Sequence, residues 1–331
     1  NIGNLIKVVH KDILGIAAEK FANLTTLSLS NAGVESFAVD AFEKCGKLLQ
    51  INLMSGNITS LPNGLFRNCN NLVYLYLRYQ KITQIQSENF EGLGKLEILD
   101  ISQNRLTSLD NVFINLPNLK DLDIQFNEIS QIHVDSFKNT PNLIKIDLKN
   151  NKISSISVET FSNLVNLETL WLNYNEITSL SAGTFRNLVK LVTLSLRNNN
   201  LTEFPPDTFA NHPNLGYFEA DQNQIRRLNK NSFRLAVNLS FFGISDNGLD
   251  EIEPTFFDYF PNLYALNGHD NLCIQDAIYN YSFIDTSEML RECYENWNNP
   301  RTTSTEDPNG AGKISFEIFS MVLMSLLVKI L

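Results

Sequence analysis

A leucine recurs every 24 residues along most of this 331-residue chain, and this period limits the folds that the chain can adopt. Eleven segments begin with such a leucine, and one spacing of 23 residues interrupts the series: Leu24, Leu48, Leu72, Leu96, Leu119, Leu143, Leu167, Leu191, Leu215, Leu239 and Leu263. A period of this length is typical of similar structural units, each stacked on its neighbours. The sequence therefore predicts a solenoid.

Each segment repeats the same internal pattern. Apolar residues follow the opening leucine by three, five and ten places, as Leu170, Leu172 and Ile177 follow Leu167. Because side chains alternate between the faces of a strand, the residues at the third and fifth places point to one side. One unit cannot bury that side alone, whereas stacked units share a continuous core. The pattern predicts a short strand in each segment, paired with the strands of the neighbouring segments.

Asparagine and phenylalanine occupy two further recurrent positions. The chain has 46 Leu and 43 Asn, an unusually high share of Asn. An Asn stands eight places after the opening leucine in eight segments: Asn104, Asn127, Asn151, Asn175, Asn199, Asn223, Asn247 and Asn271. Ala32, Gly56 and Gln80 replace it in the first three. Since a primary amide both donates and accepts, these residues are predicted to form a buried polar ladder that satisfies turn backbone groups. Phe eighteen places in is predicted to fill the convex layer.

These positions reproduce the pattern LxxLxLxxNxL, so residues 24–272 resemble the leucine-rich repeat family in its 24-residue extracellular class. The resemblance implies an α/β solenoid, a right-handed horseshoe with a parallel β-sheet on the concave face and irregular or 3-10 segments on the convex side. It leaves the ligand open, because such scaffolds share architecture and differ in partner. The expected divisions are a partial N-terminal repeat (1–23), eleven repeats (24–272), a C-terminal cap (273–297), a polar linker (298–312) and a hydrophobic tail (313–331).

The four cysteines form two pairs in the sequence. Cys273 and Cys293 follow the last repeat, where a solenoid needs a cap over its final core, and one disulfide is expected there. This region resembles the C-terminal flanking cap of extracellular leucine-rich repeat proteins, although that cap often has four cysteines. Cys45 and Cys69 occupy an inward position that leucine fills in other repeats. We expect them to be buried free thiols, and a disulfide across neighbouring repeats is the alternative.

The last residues have the composition of a lipid-attachment signal. Asn309 is followed by two small residues, a polar spacer and an apolar run from Ile314, as in a glycosylphosphatidylinositol signal. The apolar run contains Glu317 and Lys329, which fits a spanning helix poorly. Lipid attachment at Asn309 is therefore the first expectation, and a marginal transmembrane helix or an interfacial or buried helix is the alternative.

Two further features indicate an exported protein. The acceptor pattern N-x-S/T occurs at five positions: Asn23, Asn57, Asn200, Asn238 and Asn280. An Asn-rich chain produces such patterns by chance, so they support export without establishing it. Residues 1–23 carry no cysteine and no initiator Met, which indicates either a removed signal peptide or a fragment. We expect an extracellular, glycosylated protein at the cell surface.

Catalytic, cofactor and metal-binding motifs are absent from the sequence. No phosphate-binding loop, HExxH, CxxC or GxSxG pattern occurs, and the four histidines, His10, His133, His212 and His269, are far apart along the predicted solenoid. His212 stands at an inward position and is predicted to be a partly buried, hydrogen-bonded imidazole; His269 is predicted to lie at the rim. The net charge of −10 disfavours nucleic acid as a partner. The sequence predicts a protein that is not an enzyme and has no cofactor.

The variable residues of the concave strands are the predicted partner-binding site. Aromatic residues and arginine are enriched among interface hot spots. The candidates are Tyr74, Tyr76, Arg78, Tyr79, Asp100, Asp123, Phe126, Asp147, Trp171, Tyr174, Arg197, Tyr217 and Glu219. Asp100, Asp123 and Asp147 form a column of like charges that opposes its own ionisation. Lys145 and Lys149 are the expected internal counter-ions. The alternatives are basic groups of a partner or, more weakly, a divalent ion.

Together these features predict a cell-surface recognition or adhesion protein that binds a protein partner on its concave face, either another protein or a second copy of itself. An innate-immune protein that recognises microbial surfaces is the first alternative. A secreted structural or matrix organiser is the second, and an inhibitor that covers an enzyme is a remote third.

Overall fold

The computed structural model describes residues 8–9, 24–275, 277–279 and 290–299, and these ranges contain sixteen strands and one α-helix. The strands, β1 to β16 in chain order, are Val8–Val9, Thr26–Ser28, Ser36–Phe37, Gln50–Asn52, Tyr74–Tyr76, Ile98–Asp100, Asp121–Asp123, Lys145–Asp147, Thr169–Trp171, Thr193–Ser195, Tyr217–Glu219, Arg227–Leu228, Phe241–Gly243, Glu251–Ile252, Ala265–Asn267 and Ala277–Tyr279. Helix α1 is Arg291–Asn298, and 3-10 turns lie at Ser87–Phe90, Lys230–Ser232 and Phe256–Tyr259.

Twelve of the described strands form one sheet. Eleven are parallel, one from each predicted segment, and equivalent residues pair, as Leu170 pairs with Leu194 and Leu194 with Phe218. The twelfth strand, β16, closes the sheet antiparallel to β15. Two short parallel pairs, β1–β3 and β12–β14, lie outside this sheet. The predicted leucine-rich repeat horseshoe with a concave parallel sheet is confirmed.

Leucines and phenylalanines fill the interior as the period predicts. The inward residues of the strands, such as Leu75, Leu122 and Leu170, are fully buried. On the convex side the recurrent phenylalanines stack from repeat to repeat, and the ring centroids of Phe113 and Phe137 lie 6.0 Å apart. This stack runs without a break from Phe113 to Phe233 and couples those repeats through direct contact.

The predicted buried asparagine ladder is present. Asn175 donates from Nδ2 to the carbonyls of Leu148 and Leu172, each at 3.0 Å, and its Oδ1 accepts from the Ile153 amide at 3.0 Å. Gln80 performs the same task in the third repeat by accepting from Ile58 N–H and donating to the Leu53 carbonyl. Its longer side chain extends to within 2.6 Å of where a Cβ would sit on Gly56. The absence of a side chain at Gly56 therefore makes room for Gln80.

A second asparagine ladder, which the sequence analysis did not identify, runs along an exposed side of the solenoid. The Asn that precedes an opening leucine donates from Nδ2 to a carbonyl of the repeat before it, as Asn118 does to Gly94 at 2.7 Å. The members are Asn71, Asn118, Asn142, Asn166, Asn214, Asn238 and Asn262. The sequence feature that could have predicted this ladder is the recurrent Asn-Leu pair. Together the two ladders account for 15 of the 43 asparagines.

Both cysteine pairs are disulfides. The expectation of free thiols at Cys45 and Cys69 is wrong, because equivalent inward positions of adjacent repeats place the two Cα atoms 4.9 Å apart, within the range that a disulfide bridges. The predicted Cys273–Cys293 disulfide is confirmed. It ties α1 to the end of the solenoid, where Asn296 donates to the Asp250 carboxylate at 2.9 Å. The last core is therefore covered by β16 and α1.

Several predictions concern residues outside the described ranges. These are the acceptor sites Asn23 and Asn280, the lipid-attachment residue Asn309 and the hydrophobic tail. Asn57, Asn200 and Asn238 lie within the described ranges, and all three are exposed. No helix in the described part of the chain is long and apolar enough to cross a membrane.

The concave face as a candidate binding surface

The concave sheet displays its variable side chains in four columns, at the second, fourth, sixth and seventh places after each opening leucine. The first two columns lie on the strands: Tyr74 and Tyr217 at the second place, and Trp171 and Glu219 at the fourth. The sixth and seventh places form the turn that follows. All thirteen predicted partner-binding residues belong to these columns, so the fold brings them onto one continuous face.

The residue at the seventh place has a left-handed backbone in all eleven repeats, with φ between 51° and 61°. Eight repeats place Asn, Asp, Ser or Gln there. Tyr79, Phe126 and Tyr174 are the other three, and their side chains are 45%, 42% and 38% exposed. A bulky side chain is unfavourable in this backbone region, where Asn and Asp are enriched. These aromatic side chains therefore serve neither the turn nor the core.

The N-terminal part of the face is an aromatic and arginine patch. Tyr74 and Tyr76 lie half-buried on β5, and Arg78 and Tyr79 follow in the turn. Arg78 lies 4.6 Å from the Tyr79 ring centroid and donates from Nη2 to the Tyr79 hydroxyl at 3.0 Å. Burial, and then the neighbouring Tyr74 and carboxylates, raise the pKa of Tyr76, so it stays a neutral hydrogen-bonding group.

The acidic column is present and is only partly neutralised within the protein. Strand pairing places Asp100 beside Asp123 and Asp123 beside Asp147. Lys149 binds Asp147 at 3.0 Å, as expected, whereas Lys145 lies 3.5 Å from Asp121 outside the column.

Asp100 and Asp123 form no salt bridge with a described residue. Asp100 accepts from the Ser102 hydroxyl at 2.6 Å, and Asp123 accepts from the Gln125 side chain at 2.9 Å. Burial raises the pKa of Asp100, and the charge of Asp123 adds to this effect. The charge of Arg78 partly offsets this rise, and the two adjacent carboxylates have no salt-bridge partner among the described residues.

Aromatic rings and basic groups alternate in the central part of the face. The Trp171 ring lies edge-on to Tyr217 at 6.3 Å, and Tyr217 stacks on Phe241 at 4.6 Å. Lys149 Nζ lies 5.5 Å from the Trp171 ring centroid, and the Arg197 guanidinium lies 6.0 Å from that of Tyr174. The central patch predicted around Trp171 is thus a set of residues in mutual contact.

Beyond Tyr217 the face contains a buried acid that the sequence analysis missed. Asp221 is 5% exposed; it accepts from Ser245 N–H at 2.7 Å and from Asn267 Nδ2 at 3.3 Å. Its carboxylate lies 2.9 Å from where a Cβ would sit on Gly243, so a larger residue there would displace it. Burial, and then the charge of Glu219, raise the pKa of Asp221 to about 8. The sequence feature that could have predicted this burial is Gly243 in the next repeat.

Glu219 and Arg197 link this acid to the central patch. Glu219 accepts from the Ser195 hydroxyl at 2.9 Å, and Arg197 lies 3.6 Å from the same carboxylate. Arg197 also donates from Nε to Gln222 at 3.1 Å. These bonds hold Arg197 against the sheet.

The described histidines lie in unrelated surroundings. His212 is fully buried, and its Nε2 lies 2.9 Å from the Phe185 carbonyl, so the predicted hydrogen-bonded imidazole is present and is more deeply buried than expected. Burial lowers its pKa. His269 is partly exposed at the last parallel strand and lies 2.7 Å from Asp270; with Asp246 they form a small surface cluster. His133 is exposed and lies 3.9 Å from Asp135.

Comparison with known proteins agrees with this geometry. The family model described as leucine rich repeat matches residues 22–82, 70–129, 117–177, 148–201, 165–225 and 189–249. The chain belongs to the leucine-rich repeat family. No curated protein matches its sequence.

Solved leucine-rich repeat structures have the same fold. A Leptospira interrogans leucine-rich repeat protein is 24% identical, with a TM-score of 0.70 over 80% of this chain and 65% of its own. A chain of the Drosophila Toll–Spatzle complex is 22% identical, with a TM-score of 0.66 over 83% of this chain and 39% of its own. A chain of the complex of Latrophilin 3, Unc5D and FLRT2, whose leucine-rich repeat component is FLRT2, is 26% identical, with a TM-score of 0.66 over 76% and 77%. This chain thus spans less than two thirds of the first two proteins.

Proposed function

We propose that this leucine-rich repeat protein is a non-enzymatic recognition or adhesion protein that binds a protein partner on its concave face. The observation that carries the proposal is the placement of Tyr79, Phe126 and Tyr174 in left-handed turns where eight equivalent residues are polar. An unfavourable backbone state that holds an exposed aromatic ring indicates a use other than stability. Aromatic anchors of this kind dominate the energetics of many protein interfaces.

The surrounding charges support a partner with some basic character. Asp100 and Asp123 have no salt-bridge partner among the described residues, and a Lys or Arg side chain of a partner would relieve their mutual repulsion. Such charges accelerate association and make it sensitive to salt. Leucine-rich repeat chains of similar fold occur in the Toll–Spatzle and the Latrophilin 3, Unc5D and FLRT2 complexes. Those assemblies support a partner-binding role here as well.

The function can be tested by substitutions that separate binding from folding. Phe126→Asn and Tyr174→Asn place a residue suited to the left-handed turn, so the free energy of unfolding should rise by up to about 1 kcal/mol. Partner binding should weaken by about 2 kcal/mol for each anchor, or roughly 30-fold. The double variant Trp171→Ala with Tyr174→Ala should likewise fold and bind weakly. The measurement is quantitative capture of cell-surface proteins on the immobilised variants, followed by affinities for the captured protein.

Ser55→Asn is the matched control, because Ser55 occupies the same left-handed place in the second repeat. It should raise stability and leave capture unchanged. Undiminished capture by all the aromatic variants would move the binding site away from the concave face.

We further propose a cell-surface location with a lipid anchor at Asn309 and glycans at exposed acceptor sites such as Asn57 and Asn200. The two disulfides support an oxidising compartment, and the sequence around Asn309 has the composition of an attachment signal. Phosphatidylinositol-specific phospholipase C should release the protein from intact cells. Asn309→Gln, with neighbouring small residues also replaced, should abolish that release. Retention of the unaltered protein after treatment would favour a spanning or interfacial helix.

A further inference from the structure

The centre of the concave face contains a buried side-chain oxygen that has no hydrogen-bond partner among the described residues. Asn173 stands at the sixth place of the seventh repeat and is 9% exposed. Its Oδ1 is buried and accepts no hydrogen bond from any described residue. At the same place in other repeats, the buried side chains of Ser102 and Asp221 are hydrogen-bonded. The Ser245 hydroxyl at this place also lacks a partner, but that residue is only 1% exposed, whereas Asn173 lies between two partly exposed rings. Since buried polar atoms in native proteins are nearly always paired, the free oxygen of Asn173 indicates that an external group completes its bonding.

The groups around Asn173 restrict what that external group can be. Lys149 occupies the same place one repeat earlier and Arg197 one repeat later, about 4.8 Å away in each direction along the sheet. A cation would find no free counter-charge beside the oxygen, because the Asp147 and Glu219 carboxylates already pair with Lys149 and Arg197. A carboxylate would place a second acceptor against the Asn173 oxygen. It would also find Lys149 and Arg197 already paired with Asp147 and Glu219, at 3.0 Å and 3.6 Å. A neutral hydrogen-bond donor meets neither obstacle.

The neighbouring rings indicate what flanks this donor. Trp171 and Tyr174 belong to the same repeat as Asn173, and both rings are partly open to solvent. Apolar side chains of a partner can pack on them while a donor reaches the oxygen between. The arrangement thus places one hydrogen-bonding atom within an apolar surface. In ligand sites the polar group fixes the orientation of the ligand, and the apolar contacts supply most of the affinity.

We propose that Asn173, Trp171 and Tyr174 form a binding site for an uncharged amide or hydroxyl side chain (Asn, Gln, Ser or Thr) flanked by apolar residues on a peptide segment of the partner. The inference rests on the proposed concave-face function and specifies the partner chemistry at its centre. The basic character expected from Asp100 and Asp123 then belongs to a separate part of the partner, two to three repeats away. The partner segment is therefore neutral at this central site.

A displayed library of random 12-residue peptides tests this site. The library is selected on the purified full-length protein, and clones that still bind Trp171→Ala are removed. The remaining peptides should share an Asn, Gln, Ser or Thr beside aromatic or aliphatic residues. Changing that shared residue to Glu or Lys in the synthetic peptide should weaken binding at least tenfold. A shared Asp, Glu, Lys or Arg at this position would overturn the inference.

Asn173→Leu separates binding from folding. Leucine has a similar size and leaves no unpaired buried oxygen, so the midpoint of thermal unfolding should stay the same or rise. The affinity for the selected peptides should nevertheless fall at least tenfold. Asn163→Leu, at an exposed Asn of the convex segment, is the control and should change neither property. A lower midpoint with unchanged affinity would show that Asn173 is structural and overturn the inference.

Different results would remove the amide or hydroxyl site alone and the concave-face function as a whole. Peptides that require Trp171 but are indifferent to Asn173→Leu would leave the concave-face function standing and remove only the amide or hydroxyl site. A library that yields no clone dependent on Trp171, together with undiminished capture of cell-surface proteins by Trp171→Ala with Tyr174→Ala, would remove both.

Discussion

The protonation of Asp221 in the ninth repeat depends on a single residue of the tenth, Gly243. The absence of a side chain at Gly243 lets the Asp221 carboxylate lie against the sheet, out of water. Burial favours the neutral acid, and the charge of Glu219 adds to that preference. The concave face therefore contains a carboxylic acid that binds a proton near neutral pH.

This acid makes stability depend on pH in a direction that can be worked out. The folded pKa of about 8 exceeds the unfolded value of about 4, so between these values the folded state binds a proton that the unfolded state does not. The contribution of this group is complete below about pH 4 and is lost as the pH rises to about 8, by about 1.4 kcal/mol per unit within the window. Asp221→Asn cannot titrate and should gain stability relative to the unaltered protein as the pH rises.

Denaturant unfolding of both proteins at several pH values between 4 and 9 measures this difference. Glu219→Gln is the informative companion, because removal of its charge should lower the pKa of Asp221 and narrow the window. Parallel stability curves for Asp221→Asn and the unaltered protein would contradict the assignment.

At the scale of the repeat, three features of the sequence predicted the structure. The opening leucines and the alternation of apolar residues predicted the sheet and its register, and the recurrent Asn eight places after the opening leucine predicted the buried ladder. This succeeded because each rule concerns contacts between equivalent residues of adjacent repeats. Predictions failed where a residue departs from the consensus. Cys45 and Cys69 were assigned as separate substitutes for leucine, although equivalent places in adjacent repeats are close enough to bond.

The concave site was predictable in outline and not in detail. The positions of the candidate residues followed from their places in the repeat. The burial of Asn173 and Asp221 did not, because it depends on the conformations of long side chains and on the space left by Gly243. The unpaired Asn173 oxygen likewise depends on the conformations of neighbouring side chains, and no pattern of residue types encodes it.

Gly56 and Gln80 show a departure from consensus that spans two repeats and can be tested as a pair. Asn at position 56 alone would collide with the Gln80 amide, whose Oε1 lies 2.6 Å from the Cβ position. Gly56→Asn should therefore destabilise the protein by about 1 to 3 kcal/mol, the usual cost of overpacking. Gln80→Asn in the same chain restores the spacing of the other repeats and should recover that loss.

A double-mutant cycle from urea denaturation measures this coupling. The interaction free energy between the two substitutions should favour the pair by at least about 1 kcal/mol. Additive effects would mean that Gly56 does not make room for Gln80.

For the whole molecule, the solenoid makes the local free energy of unfolding depend on position along the chain. Each repeat packs mainly against its neighbours, and the Asn267–Asp221 hydrogen bond is a contact that skips one repeat. Unfolding is therefore expected to begin where the links between neighbours are fewest. The first two repeats have Ala32 and Gly56 where later repeats have a ladder Asn. The later repeats are joined instead by continuous buried rings such as Phe218, Phe233 and Phe242, with centroids 5.0 to 5.5 Å apart. The Cys45–Cys69 disulfide thus joins the units whose polar ladder is incomplete.

Removal of this disulfide should release the N-terminal repeats before the rest of the chain. The 24-residue separation of the two cysteines corresponds to about 3.5 kcal/mol in the chain-entropy model. Cys45→Ala with Cys69→Ala should lower amide hydrogen-exchange protection at β2 and β4 while protection from β6 onward stays near its original level. Cys273→Ala with Cys293→Ala should instead lower protection at β15 and β16. An equal loss of protection along the whole sheet in either variant would mean that the solenoid unfolds as a single unit, and the nearest-neighbour account of its stability would be wrong.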